Sequence, residues 1–515
     1  MIVLRRAAHR LARIVVYGLA AILIVIGVGL SVLETGWAKN RLRELIVGQA
    51  NEYLTATLSI GSLSGSILRG LELGQVQVAK DGRTLVSIDE IALSYSIREL
   101  IEAGTVIRRV RLTRPRFVIS RESDGRWDIG AMVKRERREG RQTGPNRPIV
   151  VQRIEITDGN VQLNNPLDFG AAHVPTHFDA IDAVFAFAYY PVRWRLDFDH
   201  VSWSGSAPDL TMNRLAGALG NGPGGWFFEK LSIQTPQSDY TVSGRVIRGD
   251  QPTALDLEVH AKRFAFQEWS GVLRGLKNIA VESAFDTTLK GPLSQLGTDI
   301  DLRGTGGTVK GHLTLDTTVP GWRGAGTVDV QKINLARWLN NEQRPSDITG
   351  RVAFDLALEL GRHFPRGVYR FDGRHAMYMN YAADDIRANG QITESTVLVQ
   401  HATARAYGAG ATVANGSIGL DSPFPYRFQG VINKIDLRNI PATVPVPRVE
   451  SVLTFAYDVQ GTFTQPFIIG QAKFEPSTYL GAAIGAGTVG SIDTQQQPLH
   501  YTGEGDVTGA DLHRF

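Results

Sequence analysis

In RVAFDLALELG the apolar side chains fall on every second residue. Val352, Phe354, Leu356, Leu358 and Leu360 share one side of an extended chain, and Arg351, Asp355 and Glu359 share the other. LDLEVHA repeats the pattern with Leu255, Leu257 and Val259 against Asp256, Glu258 and His260, and LTFAYDVQG repeats it with Leu453, Phe455, Tyr457 and Val459. A period of two predicts strands with one greasy face. Almost no amphipathic helical segments lie between them to cover it. Such a face must meet a second sheet, the same sheet curled over, or a lipid.

The earlier part of the chain reads as short strands and tight turns. LELGQVQVAKDGRTLVSI alternates through Val76 and Val78, turns at Asp81-Gly82 and resumes at Leu85. IALSYS continues the sheet through Ile91, Leu93 and Tyr95, and IRELIEAG reads as one short helix that Gly104 caps. RPRFVISRESDGRWDI predicts a hairpin turning at Asp124-Gly125, and VVQRIEITDGNVQL predicts the start of another. Between them, KRERREGRQTGPNRP (Lys134 to Pro148) has no apolar period and mixes acids with bases, which reads as a solvated loop and not a binding patch.

At the N-terminus, Arg5, Arg6, Arg10 and Arg13 precede IVVYGLAAILIVIGVGLSV, an uncharged segment from Ile14 through Tyr17, Leu23 and Ile26 to Val32. Its length is about the roughly 20 residues that span a bilayer core, and longer than the apolar region of a cleaved signal. The flanking charge places the N-terminus in the cytoplasm and everything after about Thr35 across the inner membrane. WAKNRLRELIVGQANEYL follows, with Leu42, Leu45, Ile46, Gln49 and Tyr53 spaced as one helical face.

A phrase recurs in the later part: KRFAFQEW at Lys262, KINLARW at Lys332, KIDLRNI at Lys434 and ADLHRF at Ala510, with Trp269, Trp338 and Phe515 at the matching offset in three copies. Irregular spacing makes this a loose β-repeat. With the last copy at the end of the sequence, the chain is expected to be one piece of a longer array. The expected organisation is a basic tail (1–13), an anchor (14–32), a linking helix (33–57), a first β unit (58–133), the charged loop (134–148) and a repeated β array (149–515).

Composition removes several alternatives. A formal charge of +4 over 515 residues gives no case for nucleic acid, and the absence of cysteine removes disulfides, thiolate chemistry and Cys-ligated zinc. The high glycine content, 55 residues, fits many tight turns. His173 and His177 are the one close histidine pair, but Pro175 interrupts any helix between them and no third ligand follows. GTGGTVKG lacks the residues of a phosphate loop and reads as a turn. No acid/base pair or nucleophile stands out, so no catalytic or metal site and no cofactor is expected, and an enzyme is disfavoured.

An N-terminal anchor, the β-rich stretch SIGSLSGSILRGLELGQVQVAKDG with RVRLTRPRFVISRESDGRWDI, and long arrays of Gly-punctuated strands resemble the AsmA-like superfamily. INLARWLNNEQRPSDITGRVAFDLALELG and VQGTFTQPFIIGQAKFEPSTYLGAAIGAGTVGSI are similar to its TamB (translocation and assembly module) branch. The resemblance implies an elongated, mostly β protein of the Gram-negative envelope. Its antiparallel strands would form a rolled, groove-like sheet with an apolar interior, and it would carry phospholipid toward the outer membrane. The alternative it implies is a scaffold for outer-membrane protein or autotransporter assembly. An outer-membrane β-barrel partner would then be met through a C-terminal region not present here. On the conduit reading Leu255, Leu257, Val259, Val352, Phe354, Leu356, Leu358, Leu360, Leu453, Phe455, Tyr457 and Val459 contact lipid.

Overall fold

The fold is taken from a computed structural model, which describes residues 34–515 apart from 68, 97–104, 123–124, 133–147, 170–171, 191, 249–251, 274–275, 278, 341, 343–344, 360, 363, 445, 464–466, 496–499, 512 and 514–515. The anchor 14–32, the short helix read in IRELIEAG, the charged loop up to 147, Asp124, Leu360 and Phe515 lie outside the described residues. The protein is mostly β, 69% strand and 8% helical. No helix among the described residues is long and apolar enough to cross a membrane. Backbone proximity divides the chain into two units, one running to Pro236 with Gly271–Arg274 added, the other Gln237–Ser270 with Gly275–Phe515.

The first unit opens with helix α1 (Gly36–Tyr53), whose N-cap Thr35 accepts from the Ala38 N–H. Strands β1 (Thr57–Ser66), β2 (Gly70–Lys80), β3 (Arg83–Tyr95), β4 (Thr105–Thr113) and β5 (Arg116–Ile119) follow, then the single turn α2 (Asp128–Ala131) and β6 (Ile149–Leu163). A minimal hairpin, β7 (Asp168–Phe169) and β8 (Ala172–His173), precedes β9 (His177–Tyr190), β10 (Arg193–Ser206), β11 (Leu210–Gly222) and β12 (Gly225–Gln234). Strands β1 to β3 and β9 to β12 pair antiparallel in sequence order, while β6 runs parallel to β4 and β5 and antiparallel to β9. Ala56, Ile60, Val76, Leu85, Val86, Ile88 and Met132 form its core.

The structure departs from three expectations. Ile149–Leu163 is one 15-residue strand and not the start of a hairpin. Asp158 takes φ 53° and the register with β9 shifts on both sides of Gly159, so the Asp-Gly pair forms a bulge within the strand. The hairpin at Gly125 is reduced to a bridge between Arg121 and Trp127, because the chain then enters α2. Helix α1 is rotated from its predicted face: Ile46 packs on the core as expected, but Val47 joins it there while Leu45 and Tyr53 are exposed. Two polar ties fix that rotation, Asn51 bonding the Leu58 backbone through both side-chain atoms and Arg43 donating to the Gly61 carbonyl. The Asp81-Gly82 turn is as expected, with both residues at positive φ between paired Lys80 and Arg83.

The second unit contains β13 (Asp239–Ile247), β14 (Ala254–Ala265), β15 (Glu282–Pro292), β16 (Leu296–Gly304), β17 (Gly307–Asp316), β18 (Gly321–Ile333), the turn α3 (Leu335–Trp338) and β19 (Ser346–Glu359). Then come β20 (Arg366–Tyr378), β21 (Tyr381–Ile392), β22 (Thr396–Ala406), β23 (Ala409–Gly419), β24 (Pro425–Ile435), β25 (Ser451–Thr462) and β26 (Phe467–Phe474). From β13 to β26 each strand pairs antiparallel with the next. The ladder continues through β29 (Val489–Asp493) to β30 (His500–Glu504). The start of β25 instead pairs with β27 (Ser477–Tyr479), which leads through β28 (Ala482–Ile484) to β31 (Val507–Thr508).

The recurring phrase marks one structural device. At Asn334 and Asp436 the side chain accepts from the N–H two residues on, capping α3 and the 3-10 turn Leu437–Asn439. Asp511 accepts from the His513 N–H in the same way. A buried serine opening the next strand completes the first two: Ser346 Oγ accepts from Leu335 N–H, and Ser451 Oγ accepts from Leu437 N–H. In the KRFAFQEW copy, Ser238 plays the buried part, accepting from Ala265 N–H and Trp269 Nε1 and donating to Glu268. Trp338 Nε1 donates to the Gly306 carbonyl, and its ring meets Phe266 of the preceding copy.

Candidate functional site

Three strands whose apolar faces were singled out in the sequence carry those faces in the same transverse rows of the second unit. Following directly opposed residues, Leu257 leads through Leu289, Thr298, Leu313 and Gly326 to Phe354, then through Tyr369, Gly390, Val399, Gly416 and Phe428 to Val459. The adjacent row on the same face begins at Val259 and passes Val352 and Phe371 before reaching Val413, Gly430 and Tyr457. Leu255 faces Gly291, Leu356 lies between Gly324 and Gly367, and Leu358 faces Trp322.

Most of these side chains stay half-buried. Leu255, Leu257, Val259, Val352, Phe354, Leu356, Leu358, Phe455, Tyr457 and Val459 are all intermediate in exposure. Leu453 differs: it is 5% exposed and forms a core with Ala409 and Ile435, against which Phe455, Phe474 and Ile484 pack. It is the most buried of the twelve among the described residues and also lines the apolar cavity described below. Neither core cluster takes in Val352, Phe354, Leu356 or Leu358.

Phe455, Tyr457 and Val459 line an apolar cavity of about 740 Å³, walled also by Phe428, Ile432, Phe474, Ile484 and Val507. That volume lies within the roughly 300–1,000 Å³ range of small-molecule sites. Phe428 and Ile432 follow the period-two pattern of PYRFQGVINKI and were legible by that signal. Ile484 and Val507 sit in strands of three and two residues, too short to show any period. Tyr457 is held by its hydroxyl, which donates to the Thr412 carbonyl at 3.0 Å, and burial raises its pKa.

The opposite face is ionic. One row runs His260, Asp286, Asp301, Lys310, Asp329, Arg351, Asp372, Arg387 across β14 to β21. Hydrogen bonds from Arg303, Arg351 and Arg427 hold Asp301, Asp329 and Asp458 below the usual carboxylate range. A depression of about 800 Å³ over this ladder is lined by groups that satisfy one another, Asp301 with Arg303 and Lys310, and Asp329 with Arg351. Such pairs fix register and solvate the face.

The two histidines weighed as ligands are separated in use: His173 pairs with Asp168 at 2.8 Å and His177 with the Thr176 hydroxyl. Among the described residues no group of three His, Asp or Glu could hold a metal ion. No family model matches the chain, and neither a curated protein nor a solved structure matches it.

Proposed function

We propose that this protein is an inner-membrane-anchored carrier that holds the acyl chains of phospholipids on a rolled apolar sheet in transit between inner and outer membranes. The reading rests on the aligned apolar rows from Leu257 to Val459 and from Val259 to Tyr457, in which the side chains of β14, β19 and β25 are half-buried, with a cavity of about 740 Å³ at their end. Apolar surface left in water costs roughly 25 cal/mol per Å², which an acyl chain laid along the rows would recover. The AsmA-like resemblance of the sequence and the uncharged segment Ile14–Val32 point the same way.

Leu356→Asp tests it. An added charge must sit in an apolar medium once lipid is bound, while the ladder bonds of β19 do not depend on that side chain. A variant that keeps its β circular dichroism but loses the lipid that co-purifies with wild type supports the carrier. A wild type that never carries lipid, with an unfolded variant, refutes it.

One observation favours an assembly scaffold as the second reading. All five residues of β30 are exposed, and among the described residues the strand pairs on one side only, with β29. An open edge of this kind can accept a client strand.

A further inference from the structure

We propose that one end of the first unit seats on the surface of a phospholipid bilayer, the same bilayer that Ile14–Val32 is read to cross. This rests on the anchored-carrier reading and adds a second membrane contact to it. The β9–β10 and β11–β12 turns stand side by side there, and between them they carry Tyr190, Val192, Arg193, Trp194 and Trp226. Tyr190 is 44% and Val192 64% exposed on one turn, with Trp194 and Trp226 half-buried beside them. Trp194 and Trp226 pack edge to face with centroids 5.3 Å apart. The Arg193 guanidinium lies 5.8 Å from the Tyr190 ring, and no carboxylate pairs with it among the described residues. Tyr and Trp beside a free Arg form the chemistry of a bilayer interface, where rings sit at headgroup depth and a cation reaches phosphate.

The register supplies an independent argument for the occupant. Glu34, two residues beyond the apolar segment, accepts from Ser66 Oγ at 2.6 Å. Ser66 opposes Gly70 and Gly70 opposes Ser94, next to Tyr95. Tyr95 opposes Ile107, which opposes Val151; two residues earlier Ile149 opposes Tyr189, and Tyr189 opposes Trp194. The point where the chain leaves the predicted span therefore lies on the same end of the sheet as the aromatic turns. Trp37, in the first turn of α1, is 74% exposed there as well. The hairpin turns at the other end, Asp81-Gly82 and Ala207–Asp209, carry no aromatic residue.

The chain has no cysteine, so single sites can be labelled without removing any. Full-length Val192→Cys and Asp209→Cys, each carrying an environment-sensitive fluorophore, are placed in nanodiscs of phosphatidylethanolamine and phosphatidylglycerol; circular dichroism confirms the fold of each. Docking predicts that the label at 192 is quenched by lipids bearing a quencher just below the headgroup and shielded from aqueous iodide, with the reverse at 209. Adding Trp226→Ser to Val192→Cys should reduce the lipid quenching. Equal iodide access at 192 and 209 overturns the proposal, as does a chain that does not incorporate into discs. Lipid extracted from the same protein before reconstitution separates the two readings: a dry label at 192 without co-purified lipid keeps the docking and removes the carrier.

Discussion

Tyr457 lies across its cross-strand neighbour Gly430, and its hydroxyl reaches the Thr412 carbonyl on the strand beyond. A Cβ on Gly430 would overlap that carbonyl. Tyr369 does the same over Gly390 to the Leu398 carbonyl, and Tyr426 over Gly461 to the Phe467 carbonyl. Each is a three-strand clamp in which the ring covers the backbone that glycine leaves bare. Tyr457→Phe, which removes only the bond, should cost about 1 kcal/mol. Gly430→Ala should cost about 1–3 kcal/mol through overpacking. Urea unfolding of both variants checks the order.

Buried and half-exposed apolar residues of the face should separate on truncation. Leu453→Ala opens a void between Ala409 and Ile435 and should cost about 2–5 kcal/mol. Leu356→Ala removes a half-exposed side chain and should cost well under half as much, since surface-like positions move stability little. Equal losses in chemical denaturation would mean that Leu356 belongs to a dry core.

Ser346→Ala and Ser451→Ala should each destabilise by about 1–3 kcal/mol, because a backbone N–H, of Leu335 or Leu437, loses its acceptor in a buried place. Hydrogen exchange should quicken first in the turn that follows Asn334 or Asp436. Unchanged exchange there would contradict the capping role.

The ionic face sets an acid limit. Asp301, Asp329 and Asp458 have folded pKa values below the unfolded value near 3.9, so what their pairing adds is fully present above about pH 4. It is lost as pH falls through the lower folded values. Thermal melts should show this contribution constant from pH 7 to 5 and declining below 4. Arg351→Met should flatten part of that decline by freeing Asp329.

Alternation made β14, β19 and β25 legible, because a half-buried strand must place its apolar residues two apart. The alignment of their faces was not, since it depends on the register of the intervening strands, which no local pattern encodes. Asp-Gly behaved in two ways: Asp81-Gly82 closes a hairpin, whereas Asp158-Gly159 bulges within β6, which is held on one side by β4 and β5 and on the other by β9. Leu453 followed the same alternation as Phe455 yet is buried, because Ile435 and Ala409 close over it. The phrase around Asn334 and Asp436 was visible as a repeat, while its partner serines, 12 and 15 residues on, were not.

The capped turns also impose an arithmetic on the array. Four strands, β15 to β18, separate the turn after β14 from α3, and six, β19 to β24, separate α3 from Leu437–Asn439. Both numbers are even, so in an antiparallel ladder each turn emerges at the same edge. A block can therefore lengthen or shorten only by whole hairpins. Gaining a single strand would send the next capped turn to the opposite edge, away from contacts such as the one that joins Phe266 to Trp338.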